Sequence, residues 1–195
     1  MLGEGRRRST GLALDGAMIE IAVRSHYPPG SPMNVVDGLP AHVLLVHFIV
    51  VLAPLTALLE IACALWSTVR RGHLVWLTLT LAIVVTVLTP ITTNAGGWLY
   101  DLRRNPDPIL REHAERGDRM IYFSLALLVV AIALVALHFA ERRTQKSGSL
   151  TRIIVAIVVL AVGVSTMIQI YRIGDAGAQS VWGNEIAHLK KANGT

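Results

Sequence analysis

An all-α integral membrane four-helix bundle, up-down-up-down, is the fold this 195-residue sequence predicts. Its N and C termini fall on the same side. Three observations predict it. Four long apolar runs, Ala41–Trp66, Leu74–Thr89, Met120–Phe139 and Ile153–Ile170, account for much of the chain. Short polar loops separate the first from the second and the third from the fourth. The motifs rich in His, Gly and Thr all fall at ends of runs that four crossings bring back to one face.

Each run takes its helical character from the bilayer. A hydrocarbon core about 30 Å thick needs roughly 20 helical residues. Inside it every backbone N–H and C=O must be paired within its own segment. With flanking residues counted, the spans are expected at about 41–66, 74–94, 120–140 and 150–171, within a transmembrane domain of residues 37–183. Residues 184–195 read as a polar tail. Residues 1–36 read as a disordered or mis-annotated extension: Asp15 and Glu20 interrupt any signal-peptide core after Arg6–Arg8, and Met33 is an alternative start.

The net charge is +5 and the only cysteine is Cys63, inside the first run, so neither a disulfide framework nor a Cys-based metal motif is present. Basic residues sit in loops beside the runs, where they set topology and meet lipid headgroups rather than nucleic acid. The loops Val69–His73 and Glu141–Arg152 are dense in Arg and Lys. Positive-inside reasoning makes them cytoplasmic and puts both termini on the extracytoplasmic side of a bacterial plasma membrane.

The first span opens with Asp37–Phe48, "DGLPAHVLLVHF", where Pro40 suits a first helical turn and His42 and His47 lie about 140° apart around the helix. The second closes with "LTPITTNAGGW", Leu88–Trp98. Thr89, Thr93 and Gly97, and likewise Thr92 and Gly96, repeat at the four-residue spacing that lets helices approach closely. In Asn105–Met120, Asp107 is the expected N-cap and Pro108 the first helical residue, so the third helix starts ahead of the bilayer. His113 and Gly117 lie one turn apart on it. In the fourth, Gly163, Thr166, Gln169 and Ile173 form a stripe expected to face the bundle, and Gly174 and Gly177 are expected to end the helix. Arg172 is placed to snorkel or to pair with Asp175. At the opposite end, Glu60 inside the first span is a functional candidate because an ionisable group there is costly.

Taken together, "GLPAHVLLVH" (38–47), "TTNAGGW" (92–98), "HAERGD" (113–118) and "YRIGDAGAQSVWG" (171–183) resemble the bacterial four-span membrane proteins of domain-of-unknown-function family 2231, in its actinobacterial form, over roughly Asn34–Gly183. Two positions depart from the usual pattern: Val43 follows His42 where Pro is usual, and Asp175 stands where a His is frequent. The resemblance implies the fold and the membrane location. Some relatives are joined to iron–sulfur redox domains, which implies electron-transfer company.

The functional polar face expected from these motifs is His42, His47, Thr93, Gly96, His113, Gly117, Gly174 and Asp175. No Ser–His–Asp or metal-protease motif is present, so no catalytic residue is assigned. Packing motifs favour a non-catalytic accessory or scaffold component of a membrane complex, beside other membrane or respiratory-chain subunits. The alternative is a b-type haem electron-transfer protein with His42 and His113 on the iron. Counting residues from the expected span ends puts those two about 9 Å apart in depth, and His47 and His113 about 16 Å apart.

Overall fold

The computed structural model describes residues 35–36, 39–144 and 149–193. The expected extension 1–36 therefore lies, but for Val35 and Val36, outside the described residues. β1 (Val35–Val36) pairs antiparallel with β2 (Leu39–Pro40), Val35 opposite Pro40. The chain then passes through α1 (Ala41–Leu65), the short α2 (Ser67–Arg71), α3 (Leu74–Asp101), α4 (Pro108–Asp118), α5 (Met120–Thr144) and α6 (Ser149–Ala192).

Four helical segments are long and apolar enough to cross a membrane: α1, α3, the segment Pro108–Arg143 that joins α4 to α5, and α6. Each packs on two neighbours in the ring α1, α3, α5, α6 and back to α1. This is the expected bundle. Large apolar side chains turn outward all round it, among them Phe48, Val51, Leu58, Val87, Val129, Ile132, Ile157 and Ile168. Such a belt has a counterpart in lipid and none in water.

The inside is built from small and branched residues. Ile49, Ala53, Ala57, Val85, Met120, Leu127, Ile170 and Ile173 fill one half; Cys63, Val75, Val130, Leu134 and Val159 fill the other. A Cβ on Gly163 would come 3.0 Å from Ile61 and 3.7 Å from Ala57, so this glycine sets how closely α6 lies against α1. The stripe expected on the last helix faces inward as read, with Gly163, Thr166, Gln169 and Ile173 all buried. Threonine hydroxyls along the spans bond back to the carbonyl four residues earlier, as at Thr56, Thr78, Thr89 and Thr92, which removes their polarity from the lipid phase.

Helix bounds differ from expectation in two places, the ends of α3 and of α6. α3 continues through Pro90 to Asp101, seven residues or about two turns past the expected end. α4 begins at Pro108, capped by the Asp107 carboxylate, which accepts from the Ile109 N–H at 3.0 Å as the sequence predicts. It ends at Asp118, one residue before α5 begins, and packs on α6. Gly174 and Gly177 do not stop the last helix, which runs on to Ala192. A glycine inside a helix costs about 1 kcal/mol, and the surrounding Ala176, Ala178, Gln179 and Glu185 favour helix with no proline to break it.

Candidate functional site

Two histidines are seated the same way at one end of the bundle. His42, the second residue of α1, reaches across to α3. Its Nδ1 donates to the Thr92 carbonyl at 2.9 Å, and the ring lies over Gly96, where a Cβ would come within 2.8 Å of it. His113 on α4 reaches across to α6. Its Nδ1 donates to the Ile173 carbonyl at 2.9 Å, and its ring lies over Gly177, where a Cβ would come within 3.0 Å. Each carbonyl stands four residues before its glycine. One helical turn thus presents an acceptor and, one turn on, the gap that the ring fills.

The hydrogen bonds fix the tautomer. A carbonyl only accepts, so Nδ1 carries a proton in both rings, which in a neutral imidazole makes Nε2 the acceptor. The two rings approach edge to face with centroids 6.3 Å apart and planes at 83°. The depth offset expected from residue counting is therefore overturned. That count assumed parallel spans entered at the same level. α4 is instead bounded separately from α5 and packs on α6, and its His113 ring meets the His42 ring of the first turn of α1.

Neighbouring bonds hold α4 in place. Arg116 donates through Nη1 to the Arg172 carbonyl at 2.9 Å and through Nη2 to Glu112 at 2.5 Å, and Gln169 donates to the Arg116 carbonyl at 2.8 Å. Met120 is buried in the adjoining core with Ile170 and Ile173.

Of the expected face, then, the structure joins His42, Gly96 and His113. His47 is exposed, bonded to the Val43 carbonyl of its own helix, and points away. Thr93 is half-buried and bonds back to the Pro90 carbonyl. No side chain approaches Gly117 or Gly174. Asp175 is exposed and accepts from Gln179 at 2.9 Å, in place of the expected pairing with Arg172. The reason is helical phase: Gly174 and Asp175 fall on the outer side of α6, while Ile173 and Gly177 fall on the inner. Sequence reasoning missed Gly177 and the carbonyls of Thr92 and Ile173. The signal was there in part, since Thr92–Gly96 and Ile173–Gly177 share one spacing.

The other end of the bundle holds the buried charge. Arg70, expected in an exposed loop, is 1% exposed on α2. Its Nη2 meets Glu141 at 2.6 Å, and Nη1 donates to the Cys63 carbonyl at 2.5 Å. The second Glu141 oxygen lies 3.8 Å from Arg71 Nε, too long for a hydrogen bond but within ion-pair reach. His138, also buried, donates from Nδ1 to the Arg70 carbonyl at 2.8 Å. His73 is exposed at the start of α3.

A family model described as a predicted membrane protein, DUF2231, matches residues 38–190. The chain belongs to the DUF2231 family. That match covers all four spans, both histidine seats and the buried pair, so these features lie within the DUF2231 domain. No curated protein and no solved structure matches the chain.

Proposed function

We propose that this membrane protein is a b-type haem protein that carries electrons, with His42 and His113 as the residues that would hold the iron. The observation that supports this reading is the paired seat. Two imidazoles from different helices stand 6.3 Å apart, each with Nδ1 bound to a carbonyl and Nε2 free. A metal-bound histidine characteristically donates its other N–H to such an acceptor, which fixes ring and tautomer.

The donor set favours haem over a bare ion. Among the described residues no group of three or more His, Cys, Asp or Glu side chains could hold a metal. A bare zinc site wants three or four protein ligands, whereas haem brings its own four nitrogens and asks the protein for two. When bound, haem supplies one-electron chemistry at its iron. The chain's own residues set the imidazole planes through the Thr92 and Ile173 carbonyls and seat the two rings over Gly96 and Gly177. The site's level, at the first turn of α1, is the boundary between hydrocarbon and water, where a soluble redox partner has access.

The test is a visible spectrum of the detergent-purified protein expressed with haem supplied, before and after dithionite. A Soret band and a sharp reduced α-band are expected, both lost in His42→Ala and in His113→Ala and retained in His47→Ala. A colourless, monodisperse protein overturns the reading. It moves the assignment to an accessory or scaffold component of a membrane complex, which the same bonds favour by tying α1 to α3 and α4 to α6. In either case we place the chain in a bacterial plasma membrane with the histidine end extracytoplasmic, on the strength of the basic residues Arg71, Arg142, Arg143 and Arg152 at the other end.

A further inference from the structure

Glu60 has no role in the histidine site, and its surroundings set it apart from every other acid among the described residues. It lies on α1 in the half of the bundle away from His42, at 0% exposure, and neither carboxylate oxygen has a hydrogen-bond partner. Its helical phase points it inward with Thr56 and Cys63 rather than out towards the interface.

The groups facing it are few. α3 and α6 bury no titratable side chain among the described residues. α5 buries His138 and Glu141, α2 buries Arg70, and α1 itself adds Cys63. Arg70 is the one buried cation of the set, and it is already engaged with Glu141 and with the Cys63 carbonyl. Glu60 thus has neither a cation nor a donor, and a carboxylate cut off from both water and partners is the costliest state the site could hold.

We propose that Glu60 is a membrane-embedded proton-binding site, a carboxyl that carries a proton in the resting protein and releases it reversibly. Polar groups continue from Glu60 towards water in one direction: Cys63, whose thiol is 3.8 Å from the Thr78 hydroxyl, then Arg70, Glu141 and the exposed Arg71. In the other direction α1 presents Ala57, Ala53 and Ile49 to the core, and the Thr56 hydroxyl is taken up by the Leu52 carbonyl. The site therefore exchanges its proton at the Arg70 end. This inference stands apart from the haem reading, since no residue is shared.

The experiment treats the full chain, in native membranes, with dicyclohexylcarbodiimide. This apolar reagent takes the proton of a carboxylic acid on nitrogen while the carboxyl oxygen bonds to its central carbon, and the adduct rearranges to a stable acylurea. Peptide mass mapping should find the adduct on Glu60, with yield falling as the pH is raised from neutral to alkaline. In parallel, infrared difference spectra of the purified protein should show a protonated-carboxyl C=O band that Glu60→Gln, of nearly the same shape, abolishes. Failure to label Glu60 together with absence of the band overturns the proposal. So does a yield that stays constant across a pH range in which the protein remains folded. The mass mapping uses the unaltered protein, so it decides the matter even if Glu60→Gln fails to fold.

Discussion

The two ends of this bundle solve one problem, fastening helices together in a lipid environment, with different chemistry. At the His42–His113 end the fasteners are imidazole rings on backbone carbonyls, half-exposed and seated on glycines. At the Arg70–Glu141 end they are full charges, buried almost completely and paired to each other. The contrast separates an adjustable fastening from a fixed one. A half-exposed imidazole can give up its present surroundings for a ligand. A buried guanidinium cannot leave its carboxylate without stranding it.

The largest expected effect tests the fixed end. Arg70→Met leaves buried Glu141 with only the 3.8 Å approach of exposed Arg71, a loss of up to about 3–5 kcal/mol, read as a collapse of the folded fraction in detergent. Replacing both partners, Arg70→Met with Glu141→Leu, should recover most of it, because removing a buried pair together is often close to neutral. If the double variant is as unstable as the single one, the pair is not what holds that end.

Next come the glycine seats. Gly96→Ala places a methyl 2.8 Å from the His42 ring and should cost about 1–3 kcal/mol by overpacking, with the ring displaced. Gly177→Ala meets the His113 ring at 3.0–3.1 Å and should cost less. Thermal melts of the two, in the same detergent, rank them directly. Equal effects would show that the rings yield freely.

His42→Ala and His113→Ala each remove one side-chain hydrogen bond and should cost about 0.5–1.5 kcal/mol, well below the Arg70 variant. A loss as large as that of Arg70→Met would erase the difference between the two ends. The smallest effect sharpens the boundary of the site. Asp175→Ala, on the outer side of α6, should leave both melting temperature and any haem absorbance unchanged. Gly174→Ala should raise the melting temperature slightly, since alanine favours helix and the added methyl meets nothing.

What is legible in the sequence and what is not divides along physical lines. The spans are legible because apolar length against bilayer thickness is a one-dimensional property, and each expected span falls on one of α1, α3, α5 and α6, though α3 and α6 run on past the expected ends. The cap at Asp107 and Pro108 is legible because it is local. His42, Gly96 and His113 stand out within their motifs, and they meet. Gly174 and Asp175 belong to the right motif but to the wrong phase, since phase depends on how α6 is turned towards α4. Gly177 reads as a helix stop; nothing local reveals that a histidine from another helix fills the gap above it. Arg70 looks like an ordinary loop cation because its partner, Glu141, is 71 residues away in sequence.

One dimension of the fold carries a consequence of its own. α6 is continuous over 44 residues, about 66 Å at helical rise, roughly twice the hydrocarbon thickness. Its last part, with Val181, Trp182, Ile186 and Leu189 exposed, stands beyond the bundle as a direct extension of a membrane-spanning rod. An unbroken helix has no joint. The seat of His113 at Gly177 and that protruding end therefore turn and tilt as one piece, and anything gripping the tip also acts on the ring.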